Sequence, residues 1–200
     1  MKPETITVFG SSRPREGEAP YREARALGAA LAAKGFLVCT GGYDGTMEAV
    51  SRGAKEAGGR TLAVTAEFFG SRANRWVDEE FRVRTWQERL FELVERGHGY
   101  VACPGGTGTL VELAVVWEML NKGVMVAKPL VVLGSFWQPI IRRVRRVELG
   151  DRSPWRERGE PLVGTASSPR DAARYLRAHL EGRAAKRRPT RGSGERSLSR

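Results

Sequence analysis

Short apolar runs alternate with longer segments of helical period along most of the chain. Thr5–Phe9 (TITVF) is rich in β-branched residues and stops at Gly10, which predicts a strand. Tyr21–Lys34 repeats Ala and Leu at helical spacing and is followed by Gly35, which predicts a helix and its stop. The same logic predicts strands at Phe36–Thr40, Thr61–Thr65, Tyr100–Cys103, Leu130–Leu133 and Leu162–Thr165. Helices are predicted at Thr46–Ala57, Thr85–Arg96, Thr109–Leu120, Trp137–Val147 and Pro169–Leu180, the last opened by Ser168 as N-cap. Residues 67–84 mix aromatics with Arg, Asp and Glu and read as a long functional loop or a short irregular helix.

Strands separated by helices imply βαβ units. The expected fold is α/β, a Rossmann-like doubly wound parallel sheet with helices on both faces, and several continuously apolar strands fit a sheet covered twice. One nucleotide-binding domain is expected over residues 1–180, followed by a basic, disordered tail at 181–200. The Thr109–Leu120 helix is apolar nearly all round, so it is buried on more than one side, by the core or by a second subunit.

Composition adds little to the fold and something to the ligand. The net charge is +11, of which residues 181–200 carry +5. An excess of cations favours anionic ligands. The Arg142-Arg143-Val144-Arg145-Arg146 run and the tail would attract nucleic acid only nonspecifically, because no nucleic-acid module accompanies them. No apolar run is long enough for a membrane span. The N-terminus reads as lacking a signal peptide. Cys39 and Cys103 fit neither a disulfide framework nor a metal site, which points to a reducing cytoplasm. His98 and His179 are isolated, and no metal or cofactor is expected.

Three predicted strands end in glycine-rich turns that enter helices: Gly10-Ser11-Ser12-Arg13, Gly41-Gly42-Tyr43-Asp44-Gly45-Thr46 and Pro104-Gly105-Gly106-Thr107-Gly108-Thr109. Glycine allows close backbone approach to a ligand, and a helix N-terminus presents unpaired N–H groups to an anion. One such turn is simply how a βα connection is made. Three on consecutive sheet edges point to a phosphate or nucleotide. Neither GxxxxGK[ST] nor GxGxxG after the first strand is present, so Walker-type hydrolysis and ordinary dinucleotide binding are disfavoured. Thr109 and Glu112 have capping-box spacing; a carboxylate one turn inside such a helix is also placed to meet a ribose. Arg89 is either a solvated helix residue pairing with Glu92 or a cation aimed at the ligand.

Pro104-Gly105-Gly106-Thr107-Gly108-Thr109-Leu110-Val111-Glu112 resembles the PGGxGTxxE signature of the Lonely Guy (LOG) family, once labelled possible lysine decarboxylases. Val8-Phe9-Gly10-Ser11-Ser12, Gly41-Gly42 with Gly45-Thr46-Met47, Gly58-Gly59 and Leu133-Gly134-Ser135-Phe136-Trp137 extend the resemblance over roughly residues 5–180. It implies a Rossmann-like homodimer that hydrolyses the N-glycosidic bond of a nucleoside 5′-monophosphate to free base and ribose 5-phosphate. It implies Arg89 and Glu112 as the catalytic pair and the PGGxGT loop as the phosphate cradle. It implies no pyridoxal phosphate. The chain departs from characterised members at Leu90, where Lys is common, and at Asp44 and Glu48 in the second turn. These departures favour the rival reading, a non-catalytic carrier or sensor of a nucleotide-like or molybdenum-cofactor-like ligand.

Overall fold

A computed structural model describes residues 3–150 and 161–187. Among them seven strands form one parallel sheet: β1 (Thr5–Phe9), β2 (Leu37–Thr40), β3 (Thr61–Ala66), β4 (Glu79–Val83), β5 (Gly99–Ala102), β6 (Leu130–Leu133) and β7 (Val163–Ala166). The order is β4-β3-β2-β1-β5-β6-β7. The helices are α1 (Ala19–Ala33), α2 (Thr46–Glu56), α3 (Trp86–Arg96), α4 (Thr107–Asn121), α5 (Gln138–Gly150) and α6 (Pro169–Arg187). The α/β, doubly wound arrangement is the expected one.

Side chains alternate along each strand, and the sheet sorts them into two cores. Ile6, Val8, Val38 and Val101 pack under α1, α2 and α6, against Leu27, Leu31, Val50 and Leu176. Phe9, Cys39, Val64, Tyr100 and Ala102 pack on the other face, against Leu93, Leu113, Trp117, Trp137 and Ile141 of α3, α4, α5 and their approaches. The chain builds outward from β1 through β4, then returns to the other side of β1 with β5. That reversal opens a crevice beyond the carboxyl ends of β1 and β5, the place where open α/β sheets bind ligands.

Residues 67–84 correct the sequence reading. They form a 3-10 turn at Glu67–Phe69 and the edge strand β4, paired in parallel with β3 from Leu62↔Glu79 to Ala66↔Val83. An edge strand needs one hydrogen-bonding partner and little burial, so Glu79, Glu80 and Arg82 sit there exposed, the charged edge that discourages pairing with other chains. Its apolar alternation is limited to Phe81 and Val83, too short a pattern to set it apart from a loop. The last helix runs seven residues past the expected end at Leu180; residues 188–200, the rest of the expected tail, lie outside the described residues. Ser168 does cap it, its Oγ accepting from the Asp171 N–H at 3.2 Å.

α4 begins at Thr107, two residues early, with Gly106 as N-cap and no side-chain cap, so Thr109 and Glu112 form no capping box. The capping box lies instead at α3. Thr85 Oγ1 accepts from the Glu88 N–H at 3.1 Å, while the Glu88 carboxylate accepts from the Thr85 and Arg84 N–H groups. Thr85→Ala is expected to cost about 1 kcal/mol, a fall of about 2–4 °C in Tm, readable by thermal denaturation against wild type.

Candidate active site

The three glycine turns converge at the switch point on a cleft of about 1160 Å³. One wall is the start of α4. Gly106, Thr107 and Gly108 are exposed, and the helix opens without a side-chain cap, so its first amides face the cleft unspent. The turn before it is anchored by Trp137, whose Nε1–H donates to the Cys103 carbonyl at 2.9 Å. Pro104, Gly105 and Thr109 also line the cleft, Thr109 from a buried position against Gly105. Gly10, Ser11 and Ser12 line the opposite side.

Gly41, Gly42, Gly45 and Thr46 were expected to bind phosphate; they lie behind the wall, all buried. A Cβ on Gly45, at φ +69°, would fall 2.5 Å from the Ser11 carbonyl, and the Thr46 N–H donates to that carbonyl at 2.8 Å. The second turn thus docks on the first. A Cβ on Gly41 would overlap the Arg89 guanidinium, so glycine there makes room for the arginine.

Arg89 and Glu112 meet at the inner end of the cleft, Nη1 to Oε1 at 3.9 Å. Arg89 is 7% exposed despite its position between Glu88 and Glu92; Glu92 pairs with Arg96 instead, at 2.8 Å. Its Nε–H donates to the Val64 carbonyl at 2.9 Å, and its guanidinium lies 5.4 Å from the Tyr43 ring and 5.6 Å from the Phe69 ring. Burial pulls its pKa below the usual arginine value, with Glu112 opposing, yet an arginine remains cationic near neutrality. Burial likewise pushes the Glu112 carboxyl up to about 7, and the neighbouring Arg89 only partly offsets this. A 3.9 Å separation is long for an ion pair, so the two charges compensate one another only in part. Burial pushes the Cys103 thiol up to about 12, which removes it as a nucleophile at neutral pH.

Several lining residues were not singled out from the sequence: Arg13, Tyr43, Met47, Phe69, Arg72, Asn74 and Phe136. The aromatic ones share a signal. Tyr43, Phe69 and Phe136 each lie within two residues of a glycine past the carboxyl end of a strand. Asn74 ties the 67–78 segment to the second turn, its Nδ2–H donating to the Gly42 and Tyr43 carbonyls at 3.0 and 3.1 Å. Of the two unusual acids, Asp44 lines the cleft and Glu48 does not. His98 accepts from the Thr5 N–H at 3.0 Å and His179 bonds the Tyr175 carbonyl; neither lines the cleft. Among the described residues no group of three His, Cys, Asp or Glu is placed to hold a metal ion, and no helix is long and apolar enough to cross a membrane.

A family model described as LDcluster4, the SLOG cluster4 family, matches residues 3–148. The cytokinin riboside 5′-monophosphate phosphoribohydrolase of Mycobacterium marinum is 35% identical over 133 residues, 62% of this chain and 71% of that protein. The pyrimidine/purine nucleotide 5′-monophosphate nucleosidase of Escherichia coli K12 is 28% identical over 127 residues, 59% of this chain but only 28% of that longer protein. Among solved structures, the molybdenum cofactor binding protein of Rippkaea orientalis superposes with a TM-score of 0.71 at 24% identity, covering 90% of this chain and 99% of that one. At that identity the likeness is one of fold.

Proposed function

The chain belongs to the SLOG cluster4 family, and from that premise we propose that it is a nucleoside 5′-monophosphate phosphoribohydrolase of the Lonely Guy type. The observation that carries this reading is the meeting of the buried Arg89 with the part-buried Glu112, which stands one turn inside an uncapped, exposed helix start. The α4 amides and the Thr107 hydroxyl take the 5′-phosphate, which supplies binding energy remote from the reacting bond. The ribose then lies over Glu112. As the C1′–N bond breaks, its electron pair leaves with the base and positive charge grows on the sugar. The Glu112 carboxylate stabilises that charge through the ribose hydroxyls and takes a proton from the attacking water, whose oxygen bonds C1′. Arg89 holds Glu112 in place and offers a guanidinium N–H to the departing base. The relatives named for phosphoribohydrolase and nucleosidase activity support this chemistry. Incubation with a panel of nucleoside 5′-monophosphates, read for free base and ribose 5-phosphate, tests it. A carrier or sensor would hold a nucleotide and release no base.

The working form we propose is a homodimer in the cytoplasm. Phe91 on α3 is 49% exposed, and Val111, Val115, Met119 and Leu120 on α4 are only partly covered, an apolar surface that a second copy would bury.

The pKa of Glu112 makes the reaction depend on pH. The working form is the carboxylate, so kcat/KM is expected to rise with pH through about 7, above the limb near 6 that a phosphate monoester contributes by itself. Stability moves the other way. Between the ordinary carboxyl value and about 7 the native state keeps a proton that the unfolded state has lost, so stability falls as pH rises across that window. Glu112→Gln lacks this loss. Its Tm relative to wild type is therefore expected to rise between pH 5 and pH 8, and a Tm difference that does not change with pH would show that the carboxyl titrates normally.

A further inference from the structure

The outer part of the cleft holds charge that the proposed reaction does not use. Arg13, at the end of the first glycine turn, and Arg72, on the segment between the 3-10 turn and β4, both line the cleft and both are exposed. Among the described residues neither guanidinium has an ion-pair partner. The nearby carboxylates do not cancel them. Glu112 faces Arg89, and among the described residues neither Glu18, which accepts the Arg15 backbone N–H at 2.8 Å, nor Asp44 lies within ion-pair distance of Arg13 or Arg72.

The backbones beneath both arginines are held while their heads stay free. The Arg13 N–H donates to Ser11 Oγ at 3.1 Å. On the other side, Arg82 Nη1–H donates to the Ser71 carbonyl at 2.9 Å and the Ala73 N–H donates to Glu80 at 3.2 Å, bracketing Arg72. Two guanidiniums on one cleft, neither taken up by an ion pair, suit a phosphate, which each can grip through paired N–H groups. The space fits too. Small-ligand sites run to about 300–1,000 Å³, and this cleft, at about 1160 Å³, is larger than that range.

We propose that Arg13 and Arg72 form a second anion subsite, so that the cleft prefers a nucleotide bearing two phosphate groups to one bearing a single phosphate. The inference rests on the reading of the α4 amides as the first phosphate site. Calorimetric titration of the full chain with AMP, ADP and adenosine 3′,5′-bisphosphate at fixed ionic strength tests it. At least one of the two bisphosphorylated probes is expected to bind ten-fold or more tighter than AMP. ADP as the better probe places the second group beside the first, and the 3′,5′-bisphosphate places it across the ribose. In the Arg13→Ala/Arg72→Ala variant the affinity ratio should fall to within two-fold of unity, and the double lysine variant should restore part of it. Equal affinities for all three ligands, no binding by either bisphosphorylated probe, or a ratio that survives the alanine variant would each overturn the subsite. The two readings fail separately. Base release from AMP without a second-phosphate preference rejects only the subsite, and the preference without base release rejects only the hydrolase.

Discussion

Glu112→Gln is expected to lower kcat for base release by about 10²–10³-fold, the loss of about 2.7–4 kcal/mol seen when one preorganised charge-stabilising group is removed from an active site. The substitution keeps the side chain's size, so the cleft keeps its shape. What disappears is the negative charge beneath the ribose and the proton acceptor for water. In the proposed site the phosphate sits elsewhere, at the α4 amides, so the dissociation constant for AMP should move by no more than about three-fold. A fall in kcat with unchanged affinity identifies an interaction made in the transition state. Unchanged turnover would remove Glu112 from the reaction, and lost affinity with retained kcat would make it a binding group only.

Gly41→Ala tests the arginine without touching it. Gly41 is not among the glycines with positive φ, so its backbone accepts alanine, and the effect is one of space. The added methyl would overlap the Arg89 guanidinium and come within 2.7 Å of Met47 Sδ. Arg89 has little freedom to yield, since its Nε–H is bonded to the Val64 carbonyl and its head lies beside Tyr43 and Phe69. A displacement of about 1 Å at a catalytic group typically costs about 10²-fold. We expect kcat/KM to fall by about that factor with the fold intact by circular dichroism. Activity within two-fold of wild type would show that the position of Arg89 does not matter. Arg89→Lys is the companion variant; it keeps the charge and loses the planar fork, and it too should be impaired.

The contrast between these two residues shows what could be read in advance. Glu112 stood a fixed number of residues past a glycine turn, which left it either a capping-box partner of Thr109 or a carboxylate facing the ligand, and the helix start at Thr107 decided between them. Arg89 also stood as one of two alternatives, but nothing near it in the chain could decide. Its neighbours Glu88 and Glu92 suggested a solvated face, and its burial depends on Gly41 and Val64, which are 48 and 25 residues away along the chain. The packing of the second glycine turn was hidden for the same reason. Its glycines are spaced like a phosphate loop, yet they serve to seat the turn on Ser11 and to admit Arg89. β4 escaped notice because an edge strand can be charged and exposed and still be held by backbone hydrogen bonds to β3.

By itself the amino-acid order determined the alternation of strands and helices, the doubly wound class and the glycine turns at the strand ends, because these follow from side-chain period and backbone sterics within a few residues. The strand order, the cleft at the β1–β5 reversal, the partner of Arg89 and the raised pKa of Glu112 were decided only in three dimensions. Each depends on which distant segments exclude water from the same place, and burial of that kind is a property of the packed whole, not of any stretch of chain.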